Sequence, residues 1–408
     1  MPDRRCPARP TSQEPGSTTR SQPGSRASPD RSRTTSRPPS RPRTARTRCE
    51  SSSSPTSRWP RACPSRSEQS DPRRRRLLRR PGRGATRGRL RQRATTQPSV
   101  TPEQHPNMQT KRQGDPMDPL VITVTVDSTM SYPGYQGMPA IEDTDKVGQE
   151  YIDSVNAGAT LCHHHGVHYL EDAIQDDGKK LSKIDFEGWK NLTDKIRTVG
   201  TDPIMQFGIA SARLPEKVEL MSLKPDMMSY AFNVHDEYFQ PDPAYPANEM
   251  YSLHPRDELI EFVTAAEANG VKPEIECFYT GAFWNLEFVR RQGLLKEKAW
   301  ATLFFGWQGG AWTPPTPDAL MYMVKHLPPN TNWNISVMDP VAQWKLLPLA
   351  IALGGHVRVG WEDNPYLPGG GASRSNAELV EVVVKMAQQI GRPIANVDEA
   401  RRIAGVSR

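Results

Sequence analysis

Residues 333–361, WNISVMDPVAQWKLLPLAIALGGHVRVGW, contain one full repeat of the architecture. WNISVM (333–338) reads as a short buried strand, 341–353 as an apolar helical stretch, and HVRVGW (356–361) as the next strand. Strand, helix and strand in so short a span form the βαβ unit, whose crossover makes the two strands parallel. The same alternation runs outward in both directions. Further strands are predicted at 120–126 (LVITVTV), 159–165 (ATLCHHH), 203–208 (PIMQFG), 226–232 (DMMSYAF), 272–278 (KPEIECF) and 300–306 (WATLFFG). Helical stretches fall at 144–157, 184–199, 214–222, 256–269, 283–293 and 317–326, and a last one at 376–391 opens on the N-cap signal Ser375-Asn376. Eight strands alternating with eight helices predict an α/β (β/α)8 TIM barrel over 117–408, a fold whose chemistry sits at the carboxyl ends of its strands.

Three strand ends carry chemistry-bearing residues. Cys162-His163-His164-His165-Gly166 closes the second strand. Side chains alternate along a strand, so His163 and His165 share a face while His164 points to the other. Two imidazoles on one face at a strand's mouth suit a metal ion; the plain alternative is a polar strand end bonded to backbone or water. Arg358-Val359-Gly360-Trp361-Glu362-Asp363-Asn364 ends the eighth strand. Arg358 and Glu362 share a face if the strand continues that far, and Glu362 then supplies a third ligand with Asp363 beside it; a surface ion pair is the alternative. On the fifth strand Glu274 and Glu276 face one way, and burying both demands a cation, either metal or Arg358. Glu276 lies nearer the carboxyl end and is the better site candidate, with Glu274 deeper or structurally paired.

The remaining candidates are softer. Gly309 and Gly310, in the GWQGG loop after the sixth strand, could let backbone approach a cofactor. Asn233 and His235 follow the fourth strand and can line the mouth. Trp300, Phe304, Phe305 and Trp307 read as core.

These segments resemble one family. GATLCHHHG (158–166), KPEIECF (272–278), GWQGG (306–310), LAIALGGHVRVGWEDNPYL (349–367) and 375–405 are similar to the β-keto acid cleavage enzymes, typified by the 3-keto-5-aminohexanoate cleavage enzyme. The resemblance covers about Pro119 to Gly405. It implies a barrel holding Zn2+ on His163, His165 and Glu362, with Arg358 and Asp363 as the catalytic pair and Glu276 as a supporting carboxylate. It implies that a β-keto acid and acetyl-CoA give a CoA ester and acetoacetate, and that the protein is a homotetramer. Three substrate-facing loops depart from the family pattern. Met130 stands about where a glutamate reads the substrate's ammonium group, and Gly208-Ile209-Ala210-Ser211 and Phe232-Asn233-Val234-His235 replace small hydroxyl-rich turns. The expected substrate is therefore a β-keto acid other than 3-keto-5-aminohexanoate. Other metal-dependent lyases or aldolases, and a barrel metal hydrolase, stand as alternatives.

The first 116 residues are a different polymer. They hold 28 basic residues, nearly all Arg, against 8 acidic ones, a net of +20, whereas the remainder has 25 against 38, a net of −13. So few apolar residues cannot offset ordering costs of about 1–2 kcal/mol per residue, so disorder is expected there. Three accounts of this arm remain open: a non-specific nucleic-acid-binding tail, an organellar transit peptide, or translated sequence upstream of a start at Met108 or Met117. Nucleic-acid binding by the arm on an inert barrel is the non-enzymatic alternative. The five cysteines show no paired spacing, no run of eighteen apolar residues exists, and no apolar signal core begins the chain. A cytoplasmic enzyme, with no membrane partner and no specific nucleic-acid partner, is the resulting expectation.

Overall fold

A computed structural model describes residues 117–126, 138–174, 180–240 and 247–406. The basic arm and Met130 lie outside the described residues. The strands, in chain order, are β1 (Ile122–Thr125), β2 (Leu161–His164), β3 (Val167–Ile174), β4 (Lys180–Asp185), β5 (Ile204–Phe207) and β6 (Met227–Ala231). They continue as β7 (His235–Phe239), β8 (Asn248–Ser252), β9 (Lys272–Cys277), β10 (Ala299–Phe305), β11 (Thr331–Val337) and β12 (His356–Val359). Eight of them close into a parallel barrel in the order β1-β12-β11-β10-β9-β6-β5-β2. These are the eight strands predicted from the sequence. The other four form two antiparallel hairpins, β3–β4 and β7–β8, which no apolar run announces.

The surrounding helices are α1 (Thr144–Asn156), α2 (Phe186–Arg197), α3 (Leu214–Leu220), α4 (Arg256–Asn269), α5 (Gly281–Arg291), α6 (Pro317–His326), α7 (Gln343–Ala352), α8 (Asn376–Ile390) and α9 (Val397–Ala404). Their boundaries follow local chemistry. Ser375 Oγ accepts from Glu378 N to start α8, and Gly391 ends it in the left-handed conformation. The apolar stripe of α8, Leu379, Val380, Val383 and Ala387, is buried, as is that of α1. Among the described residues no helix is long and apolar enough to cross a membrane.

Two features place the site at one end of the barrel. At the amino ends of the strands, α9 inserts Ala400, Ile403 and Ala404 against Val121, Leu161, Ile204, Met227 and Trp300, which seals that face with apolar surface. Further up, every barrel strand buries a polar side chain: Thr125, His163, Gln206, Ser229, Glu274, Thr302, Asn334 and Arg358. The alternate positions, such as Val124, Cys162, Ile275 and Val357, face the helices and join the main core. A barrel of this kind is normally filled by branched apolar residues. Here the upper interior is polar, so it is built to hold something charged.

Candidate active site

The metal-ligand candidates converge. His163 is the third residue of β2, buried, and its ring centroid lies 4.9 Å from that of His165, just beyond the strand. His165 Nε2 is 3.1 Å from Glu362 Oε1, and one ligand atom from each of the three residues lies within 4.8 Å of the others. Ligand atoms sharing one ion at ~2.0–2.1 Å must stand roughly 3.3 Å apart, so the His165–Glu362 separation already suits a shared ion. Two atoms of the set, His163 Nε2 and Glu362 Oε2, are buried and have no hydrogen-bond partner among the described residues. Orphaned buried acceptors are costly, and a cation between them would satisfy both.

The surroundings prepare these ligands. His163 Nδ1 lies 2.8 Å from Gln206 Oε1 on the neighbouring β5, which makes Nδ1 the protonated nitrogen and leaves the Nε2 lone pair facing the site. Burial, reinforced by the Arg358 charge, holds His163 well below the usual imidazole range, so it is the neutral form a metal needs. Gly208 gives the ring its room, because a Cβ there would stand 2.3 Å from His163 Cε1. His164 points away, as strand alternation requires, and packs against Trp189 and Phe207 at centroid distances of 5.3 and 4.6 Å.

Glu362 reaches the site by a different route from the one its spacing suggests. β12 ends at Val359, so Arg358 and Glu362 do not share an extended strand. Gly360 turns the chain with φ +150° and approaches β1 so closely that a Cβ would stand 1.8 Å from Thr125 O. Asp363 N and Asn364 N then donate to Gly360 O at 3.1 and 3.0 Å, folding both carboxylates back over Arg358. Asn376 at the start of α8 secures this turn: its Oδ1 accepts from Trp361 N at 2.8 Å while its Nδ2 donates to Glu150 Oε2 at 3.1 Å.

Arg358 is 1% exposed and pairs with both acids. Its Nε donates to Asp363 Oδ2 at 3.0 Å, and its Nη2 donates to Asp363 Oδ1 at 2.9 Å and to Glu362 Oε1 at 2.5 Å. Burial acts to raise Glu362, but Arg358 and then His165 overcome it and hold the group below the carboxylate range. For Asp363 burial wins, and its carboxyl is pushed up to about 6 against the opposing pull of Arg358. Glu274 lies deeper, as expected, accepting from Thr302 Oγ1; burial and the neighbouring Glu276 raise it to about 8.

The other candidates divide. Glu276 lines the cavity above the ligands, whose roughly 590 Å³ of empty space includes solvent at its open mouth. So does His235, whereas Asn233 is structural: its Oδ1 accepts from Phe278 N at 3.1 Å. Trp300 and Phe305 are core, but Phe304 and Trp307 also line the cavity, with the Arg358 guanidinium carbon 5.4 and 5.9 Å from their ring centres. At Gly309 and Gly310 the chain passes close to β7: Cβ atoms there would stand 2.3 Å from Asp236 O and 2.2 Å from Asp236 Oδ2, so this packing requires glycine at both positions.

Sequence reading missed Gln206, the hold of Asn376 on the Trp361 turn, His168, which lines the same cavity, and the β7 pair His235–Glu237 as a unit. Gln206 carried a signal, a polar residue inside the apolar strand PIMQFG, and Asn376 stood out only as part of a helix start.

Comparison with known proteins points to one family. A family model described as beta-keto acid cleavage enzyme matches residues 120–406. The 3-keto-5-aminohexanoate cleavage enzyme of Acetoanaerobium sticklandii is 29% identical over 267 residues, which is 65% of this chain and 90% of the relative. The 3-oxoadipate:acetyl-CoA acetyltransferase of Cupriavidus necator is 27% identical over 297 residues, 71% of this chain and 95% of the relative. Among solved structures, the apo structure of ObcA superposes with a TM-score of 0.50 at 16% identity, covering 66% of each chain, a likeness of fold alone.

Proposed function

This chain belongs to the beta-keto acid cleavage enzyme family, and we propose that it exchanges acyl groups between a β-keto acid and acetyl-CoA. The products are acetoacetate and a new CoA ester, and the ion on His163, His165 and Glu362 is zinc. One observation carries the reading: the three ligand candidates meet within 4.8 Å at the barrel mouth, directly against the buried Arg358–Asp363 pair. Two imidazoles and one carboxylate also suit Fe(II), but the exchange involves no redox change, which favours zinc. A zinc ion held by His163, His165 and Glu362 would supply Lewis acidity toward the 3-keto oxygen.

The remaining roles fall to the chain's own residues. Asp363, with its carboxyl near 6, is suited to take a proton from the carbon next to a carbonyl and to return it after the carbon–carbon bond has exchanged. Arg358 fixes the orientation of Asp363 through two nitrogens and offers its remaining N–H groups to a substrate carboxylate or thioester oxygen. Glu276, on the cavity wall, is the supporting carboxylate. The changed loops at Gly208–Ser211 and Phe232–His235 point to a substrate other than 3-keto-5-aminohexanoate. A cytoplasmic homotetramer is part of the same proposal.

The test is acetoacetate release from acetyl-CoA and a panel of β-keto acids, before and after exhaustive chelation. Turnover should vanish with the metal and return with zinc. Full activity in the chelated protein would overturn the reading.

A further inference from the structure

The β7–β8 hairpin adds a wall to the cavity that the metal and the Arg358 pair do not explain. It is held rigidly by the loop after β10: Tyr238 N donates to Gln308 O at 3.0 Å, Gln240 N to Gln308 Oε1 at 3.3 Å, and the Phe239 and Trp307 rings meet edge to face at 5.7 Å. From this wall His235 and Glu237, 4% and 2% exposed, reach into the cavity. Their Nε2 and Oε1 atoms stand 2.7 Å apart, yet both atoms, and His235 Nδ1 as well, lack a hydrogen bond of acceptable geometry among the described residues. A buried ion pair whose members are imperfectly satisfied is expensive, and a third group that bonds to both relieves that cost.

We propose that His235 and Glu237 read a hydroxyl group at the far end of the substrate, so that the preferred β-keto acid is hydroxylated beyond its 3-keto carbon. This inference rests on the β-keto acid reading above and names the substrate class for that same site. The chemistry selects among end groups. A hydroxyl accepts from the imidazole N–H and donates to the carboxylate, completing both partners. An ammonium has no acceptor for the imidazole, and a carboxylate has no donor for Glu237 and faces Glu276 as well. A methyl satisfies neither. Burial alone would discharge His235, but Glu237 and then Glu276 raise it above its ordinary value, which favours the charged ring with an N–H on both nitrogens.

The test compares kcat/KM for 3-oxo-5-hydroxyhexanoate, 3-oxohexanoate, 3-keto-5-aminohexanoate and 3-oxoadipate. The hydroxylated acid should lead 3-oxohexanoate by at least about tenfold, because a site built to hydrogen-bond a hydroxyl penalises the analogue lacking it. In Glu237→Gln and in His235→Gln that ratio should fall toward one. Calorimetry with the unreactive acids 5-hydroxyhexanoate and hexanoate gives an independent readout, with the same preference expected. If none of the four acids yields acetoacetate, the reaction reading fails and the calorimetry still decides the hydroxyl. Equal binding of the unreactive pair, or a preference for the amino or dicarboxylic acid, overturns the inference.

Discussion

Replacing Gly208 with alanine should disarm the proposed metal site while leaving the barrel folded. The new Cβ would stand 2.3 Å from His163 Cε1, 2.7 Å from His163 Nε2 and 2.7 Å from Ser229 Oγ. Carbon atoms prefer about 3.5 Å or more, so ring or backbone must give way by roughly 1.2 Å. The ring cannot swing freely, because Nδ1 is tied to Gln206 at 2.8 Å and the side chain is buried. Metal–ligand bonds tolerate displacements of only about 0.2 Å, so a shift several times larger removes one of three protein ligands. Overpacking of this kind costs about 1–3 kcal/mol of stability, which a domain this size can survive. The expected result is a fall in zinc affinity of at least about 100-fold, since losing a ligand exceeds the ~10–100-fold cost of losing an outer-shell partner. Competition with a chromophoric chelator measures this, with circular dichroism and urea unfolding as fold controls. Gly369→Ala, where a Cβ meets nothing within 4 Å, should bind zinc normally. A Gly208→Ala protein that retains wild-type zinc affinity would refute the assignment of His163 Nε2 as a ligand.

Three further perturbations probe separate parts of the structure. Arg358→Met leaves the buried Glu362 and Asp363 without their cation, and metal-free protein should lose about 3–5 kcal/mol in urea unfolding. Asn376→Ala and Ser375→Ala both weaken the start of α8, but only Asn376 holds the turn that carries Glu362. Both should cost about 1–2 kcal/mol, and only Asn376→Ala should also lower zinc affinity in the chelator competition. His254 is buried between Tyr230 and Glu258, and burial lowers its pKa to about 4. The unfolded chain protonates near 6.5 and the folded one does not, so stability falls as pH drops from about 6.5 toward 4. By pH 5 this group accounts for about 2 kcal/mol, a loss that His254→Asn should remove from the pH dependence of urea midpoints.

What the sequence by itself determined is the part governed by local periodicity. The β-branched runs and the amphipathic stretches between them located all eight barrel strands and, among the described residues, eight of the nine α-helices, because a two-residue or 3.6-residue repeat is visible in a short window. α9 escaped although its capping box, Asn396 with Glu399, is written in the chain; the segment is short and half of it is charged. The β7–β8 hairpin escaped because His235–Phe239 mixes polar and aromatic residues, and its alternate burial exists only because a loop covers one face. Alternation also sorted His163 from His164 and Glu274 and Glu276 from Ile275. The tertiary structure decided everything that depends on closure. Glu362 meets His163 because β12 pairs with β1 and β1 with β2, and because Gly360 ends the strand and folds the next turn inward. Gln206 becomes the partner of His163 only through the β2–β5 register, and Gly309 and Gly310 meet a hairpin some seventy residues earlier in the chain. Periodicity gives each residue a face, but which faces meet depends on long-range pairing that no local pattern encodes.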